Sequence, residues 1–251
     1  MNDRARTVLF FVSAAAVAAV LIEGISGLSP FGVHQSAYAA MLLRVAVLER
    51  HVLNVATAVN FDYRGFDTLG EEFILFTSIA GVLMIFSELR GGKTFYPEPM
   101  DEPGDRGRTA AIRLFATGLA AFVAAMGMNV ALHTSITPGG GFQGGAIFGS
   151  AVVCIYLGAG YAALDRTAKK SLLDFLEALG GAAFALIGVA TAFVSGVFLK
   201  NSLPLGAAGS IPSGGTIFAI NAAVFLEVGC GFALLLLLYL HQTCKTEEEQ
   251  R

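Results

Sequence analysis

The chain has 251 residues, of which 55% are hydrophobic and only 14% charged, against roughly 25% charged in an ordinary soluble domain. A net charge of −3 gives no electrostatic basis for binding nucleic acid. Thirty glycines and no tryptophan suit helices packed closely in lipid.

A membrane-spanning helix needs about 20 mostly apolar residues, and six stretches qualify: 7–25, 70–89, 112–132, 144–164, 176–199 and 216–240. The first follows Arg4 and Arg6 and so has the outline of a signal peptide. Its apolar run is long for that role, and small-residue cleavage chemistry is missing around residues 23–30, so it is expected to stay as a membrane helix. Glu23, near its far end, can reach the interface and is a candidate ion-path group.

Residues 42–61 do not qualify, because Arg44, Glu49, Arg50 and His51 interrupt them. Leu48, Val52, Val55 and Val59 recur at helical spacing, and His51, Asn54, Thr57 and Asn60 form a polar stripe. That pattern predicts one amphipathic helix lying along the interface. The second span opens with Glu71 and Glu72. Asp67 and Thr68 before them suit an N-cap, and acidic groups in a first turn suit the helix dipole. Asp67 and Glu71 are one turn apart and could share a face, so both are also ion-path candidates. Glu88, beside Arg90, reads as a surface group.

Residues 91–108 are rich in proline, glycine and charge and read as a linker. Between the third and fourth spans lies the most unusual stretch, TPGGGFQGG at 137–145. Pro138, Gly139, Gly140, Gly141, Gln143, Gly144 and Gly145 form a glycine loop at a helix entrance. Such a loop could offer N–H groups to an anion or carbonyl, or let a neighbouring protein pack against bare backbone. His133 precedes it, as a helix-end hydrogen-bonding group or a proton carrier. Asp174 and Glu177, at the start of the fifth span after Lys169 and Lys170, read as helix-start electrostatics.

Glu227 stands near the middle of the last span, in NAAVFLEVGCG at 221–231. A carboxylate there must be protonated, paired or hydrated. It is either an element of a proton or cation relay or a hydrogen-bonded group locking helices together. The loops before the fourth and sixth spans, ITPGGGF at 136–142 and IPSGGTIF at 211–218, look weakly alike and hint at a duplicated hairpin.

Six spans put the N-terminus, the loop at 90–113, the turn at 165–171 and the segment after residue 240 on one side, with 12 of the 16 Lys and Arg residues. Positive residues mark the cytoplasm, so both termini are expected there. The expected organisation is an all-α membrane protein with six spans plus one interfacial helix in a 2 + 4 arrangement. Its parts are 1–90, the linker 91–108, a four-span domain at 109–245 and a charged tail at 246–251. No P-loop, GxSxG, HExxH or dinucleotide fingerprint occurs, and Cys154, Cys230 and Cys244 lack ligand spacing. No catalytic residue, cofactor or metal site is therefore assigned.

Two strings resemble a known family. HTSITPGGGFQGG at 133–145, with GGTIF at 214–218 and LEV at 226–228, resembles the B-type (MnhB) component of Mrp-type sodium/proton antiporters. NVATAVNFDYRGFDTLGE at 54–71 is similar to the C-terminal part of the large A-type component of the same antiporters, and equally to the E-type component of membrane-bound hydrogenases. The order of the strings implies a fusion of the two. The resemblance implies a non-catalytic member of a multisubunit Na+/H+ antiporter in a bacterial or archaeal inner membrane. Its partners would be other hydrophobic subunits, lipid, H+ and a monovalent cation. In that family, proton translocation is attributed chiefly to large subunits with lysine and glutamate inside broken helices, and no lysine falls within any of the six expected spans here. The resemblance places Glu71 near the proposed ion path, but Thr134 and Ser135 stand where the family commonly has a second histidine. Two alternatives remain at this stage: a structural member of a complex I-like hydrogenase or another redox- or uptake-linked assembly, and a small stand-alone secondary transporter.

Overall fold

The computed structural model describes residues 3–28, 36–88 and 109–249. The linker at 91–108 and the last two residues of the tail lie outside them. Among the described residues the secondary structure is helical, with no strand. Six helices are long and apolar enough to cross a membrane: Arg4–Ser26, Gly65–Phe86, Ala110–Leu132, Gly141–Ala159, Lys170–Ser195 and Thr216–Leu240.

The chain divides into two units, Met1–Met41 and Leu42–Arg251. In the first, α1 (Asp3–Ser26) exposes Val8, Phe10, Phe11, Val20 and Ile22. A helix apolar on every face suits lipid and not water.

After α2 (Ala37–Arg50) the chain turns at His51, whose φ of +56° is left-handed. It resumes as α3 (Val55–Ala58), passes through a π-helical turn at Val59–Tyr63 and enters α4 (Gly65–Glu88). The single interfacial helix expected at 42–61 is therefore broken. The physical reason is competition for its backbone: the N–H groups of Leu53 and Asn54 donate to Ser135 O at 2.8 and 3.4 Å instead of continuing a helix. The expected polar stripe is also turned inward in part. Asn54 Nδ2 donates to Thr57 Oγ1 (2.8 Å) and Thr137 O (3.0 Å), and Thr57 Oγ1 donates to Thr134 O (3.1 Å). Leu48, from the expected apolar face, is 79% exposed.

Helix α5 (Ala110–Leu132) starts at Thr109, whose hydroxyl accepts from Ile112 N at 3.3 Å, an N-cap. Helix α6 (Gly141–Ala159) ends at Gly160, with φ +84°. The stretch 144–164 thus becomes a span plus the short α7 (Tyr161–Thr167). Helix α8 (Lys170–Ser195) closes on Gly196 in the αL conformation, a common helix stop. The last helix is α9 (Thr216–Glu249).

Helix α9 forms the centre, packed on α6, α8 and α4. Its Ile217, Ile220, Val224 and Val228 are fully buried together with Phe184 of α8. Glycines set how close the helices come. A Cβ added at Gly144 would lie 2.6 Å from Gly127 O of α5, and one at Gly145 would lie 2.9 Å from Gly229 N of α9. Small residues that let backbones approach are the usual basis of helix association in lipid.

Candidate functional site

The loops entering α4, α6 and α9 meet at one end of the bundle. Asn201 joins the first and last of them: its Nδ2 donates to Gly214 O (2.8 Å) and Asp62 Oδ2 (3.2 Å), and its Oδ1 accepts from Thr216 N (2.8 Å). Ser135 Oγ donates to Ser213 O at 2.9 Å, tying the two similar glycine loops together. The glycine loop itself is engaged within the chain. Asn221 of α9 accepts from Gly141 N at 2.5 Å through Oδ1 and donates to Ala131 O at 2.9 Å through Nδ2. Gly140, Gly141, Gly144 and Gly145 are buried, while Pro138 and Gln143 are exposed.

Asp62 lies at this end, before α4 begins. Arg50 Nε is 2.5 Å from Asp62 Oδ2, and the Arg50 guanidinium stacks 4.7 Å over the Tyr63 ring. Tyr63 OH donates to Glu49 Oε2 at 2.7 Å. Burial raises Asp62 above its ordinary value despite the opposing pull of Arg50 and Asn201. Burial and the bond to Glu49 push Tyr63 up to about 12. Removing Arg50 would leave a buried carboxylate without its cation, which costs about 3 kcal/mol. Because the folded-state value of Asp62 is raised, its contribution to stability is present at low pH and lost as pH climbs past 3.8 and through that raised value. The thermal midpoint of Arg50→Met in detergent should therefore fall well below that of the unsubstituted protein at neutral pH. The gap should narrow on acidification. A constant gap across pH would remove Asp62 from the account.

Within the spans, three carboxylates are buried: Glu72 of α4, Glu177 of α8 and Glu227 of α9, at 3%, 5% and 1% exposure. Both oxygens of Glu227 lack a hydrogen-bond partner, as do Glu72 Oε2 and Glu177 Oε1. Buried polar atoms are usually paired, so carboxylate oxygens without a partner in this chain mark the three positions as candidate ion-path groups.

Glu177 and Glu227 sit in reciprocal slots. A Cβ on Gly181 of α8 would lie 3.3 Å from Glu227 Cδ, and one on Gly231 of α9 would lie 3.1 Å from Glu177 Oε1. Gly181 follows Glu177 by four residues and Gly231 follows Glu227 by four. On two antiparallel helices, each glutamate thus occupies the space left by the glycine one turn from the other. Ile79 Cδ1 of α4 packs beside the Gly231 slot. Glu72 is seven residues earlier, on the same face of α4 as Ile79.

The other candidates fall elsewhere. Glu71 is exposed beside buried Glu72. Asp67 does not cap α4, which begins at Gly65. It pairs instead with Arg64, whose Nε lies 2.6 Å from Asp67 Oδ2. Thr68 Oγ1 donates back to Asn60 O at 2.6 Å. His133 ends α5, with Nδ1 3.0 Å from Asn129 O. Glu23 is exposed on α1. Sequence reasoning passed over Glu177 because α8 begins at Lys170, which puts Glu177 two turns inside the helix and not at its start. The signal for it was present: glutamate followed by glycine at the fourth position occurs in both EALGG at 177–181 and EVGCG at 227–231.

Residues 111–234 match the family model described as a domain related to the MnhB subunit of Na+/H+ antiporters. That stretch, just under half of the chain, is similar to this family. It contains Glu177 and Glu227, whereas Glu72 comes from the segment before it. The chain is 29% identical over 191 residues to the uncharacterized protein MJ1307 of Methanocaldococcus jannaschii, covering 72% of each. Its fold is shared with a chain of the membrane-bound sulfane sulfur reductase, an archaeal respiratory membrane complex (TM-score 0.70, 24% identity, 94% of this chain and 98% of that one). It is shared also with part of a chain in the Mrp complex from Dietzia sp. DQ12-45-1b (TM-score 0.67, 23% identity, 95% of this chain). The region matched is 26% of that Dietzia chain.

Proposed function

We propose that the chain is a membrane subunit of an Mrp-like antiporter-type complex, supporting exchange of protons for a monovalent cation, Na+, beside larger pumping subunits. The observation that carries this reading is the stretch similar to the MnhB family, with unpaired glutamates at the centre of its bundle. In this reading the chain catalyses no reaction of its own and holds no cofactor. The same fold occupies only 26% of the Dietzia chain that contains it. A fold carried within a longer polypeptide supports reading residues 1–90 as the counterpart of the large A-type tail, fused here to a B-type domain. The asymmetry of Lys and Arg supports cytoplasmic termini.

A second reading keeps the same role in a redox-linked assembly. It is favoured by the near-complete overlap with one chain of the sulfane sulfur reductase. Purification in mild detergent from the native membrane separates these readings from a stand-alone carrier. Several hydrophobic subunits should come with the chain, and a co-purifying redox module would select the second reading. A monodisperse protein that exchanges cation for proton by itself in liposomes would refute both.

A further inference from the structure

Beyond Glu227 alone, carboxylates recur at successive depths through the bundle. Glu71 is exposed and adjacent to buried Glu72. Glu177 and Glu227 occupy reciprocal slots at Gly231 and Gly181, Ile79 meets the same Gly231 two turns from Glu72 on α4, and Asp174 precedes Glu177 by three residues on α8. Asp174 stands at the opposite end, with a side chain 40% exposed and Lys170 Nζ at 2.5 Å.

Helix geometry converts these positions into depth at about 1.5 Å per residue. Helices α4 and α9 start at the loop-rich end, and α8 starts at the other. Glu72 is seven residues into α4 and Glu227 eleven into α9, or about 10 and about 16 Å from that end. Glu177 is level with Gly231, about 6 Å beyond Glu227. Glu177 in turn is seven residues from the start of α8, about 10 Å. The three buried groups therefore stand at successive depths between the two ends of the bundle. Their outermost members are followed by exposed Glu71 at one end and by partly exposed Asp174 at the other.

We infer that Glu72, Glu227 and Glu177 are successive stations of a proton relay crossing the bundle, with Glu71 and Asp174 as its exposed ends. The inference rests on the proposed antiporter role of the complex. In each transfer an O–H bond of one carboxyl breaks and an O–H bond of the next forms, directly or through water. The vacated carboxylate is reloaded from the station behind it, so charge is conserved along the relay. The unpaired oxygens of Glu227, at 1% exposure, supply the acceptor in the middle. Glycine at 181 leaves room for the Glu227 carboxyl, and glycine at 231 leaves room for that of Glu177. The relay also explains why the stations come from both sides of the linker: Glu72 belongs to the segment before it and the other two to the MnhB-like stretch.

The test uses the intact complex reconstituted in vesicles, with cation-driven proton exchange read from an internal pH dye. Glu72→Gln and Glu177→Gln should each assemble with unchanged subunit composition and lower exchange by about tenfold or more. The double variant should be no slower than the slower single, as for steps in series. Glu72→Asp and Glu177→Asp should retain part of the exchange with a displaced pH profile, which a purely structural role would not produce. If a Gln variant fails to assemble, the Asp variant at that position decides: an unshifted profile overturns the relay. So does full exchange in either assembled Gln variant. Exchange lost in Glu227→Gln but intact in both others would leave the antiporter reading standing and remove the relay alone.

Discussion

Gly144→Val is expected to abolish accumulation of the chain in the membrane. Gly144 faces α5 so closely that its Cβ would lie 2.6 Å from Gly127 O and 2.8 Å from Ala131 N. Both obstacles are backbone, so no rotamer change relieves the overlap, and α6 must move away from α5. That movement also breaks the bridge by which Asn221 joins Gly141 N of α6 (2.5 Å) to Ala131 O of α5 (2.9 Å). Overpacking alone costs about 1–3 kcal/mol, and an N–H left without its partner in lipid adds several more. Together these rival a whole domain's stability of about 5–15 kcal/mol. Gly118→Val is the matched control, since nothing stands within 4 Å of a Cβ there. Quantitative immunoblotting of washed membranes should find the Gly118 variant near normal amounts and the Gly144 variant absent or a small remnant. Equal accumulation of the two would contradict the close packing of α5 on α6.

The six spans were legible in the sequence because burial in lipid demands long apolar runs whatever the tertiary packing. Their ends were less so: Gly160 divides the fourth stretch because of a local positive φ, which hydropathy does not encode. The break at 51–54 was hidden for a different reason. Helical spacing at 42–61 is real, but Ser135 O and the carbonyls of the 134–139 loop compete for the Leu53 and Asn54 backbone and the Asn54 and Thr57 side chains, and that loop is about 80 residues away. At the site, Glu227 stood out by its depth alone. Choosing between Glu71 and Glu72 needed the rotation of α4, which puts the second inward. Glu177 needed the true start of α8, and Asn221 needed its two partners on α5 and α6. The glycine loop was recognisable as unusual, yet its partners turned out to be helices of the same chain.

Glu227→Gln is the substitution with the largest expected effect on transport. Glutamine has nearly the same shape and fills the same slot against Gly180 and Gly181, so the packing of α8 on α9 is preserved. It can donate and accept hydrogen bonds but cannot pass on a proton. If Glu227 only locked helices together, the variant would exchange ions almost normally, because an amide holds a helix contact as well as a carboxyl. If it is the group through which protons pass, the variant complex should assemble and stay inactive. Glu227→Asp, one methylene shorter, should restore part of the rate. The decisive measurement is therefore Na+-driven proton exchange in vesicles carrying the assembled complex, compared between unsubstituted and Glu227→Gln protein at equal complex content. A fall of about 100-fold, the upper range for loss of a proton-transferring group being near 10,000-fold, is the predicted result. Undiminished exchange by a fully assembled Glu227→Gln complex would contradict the account.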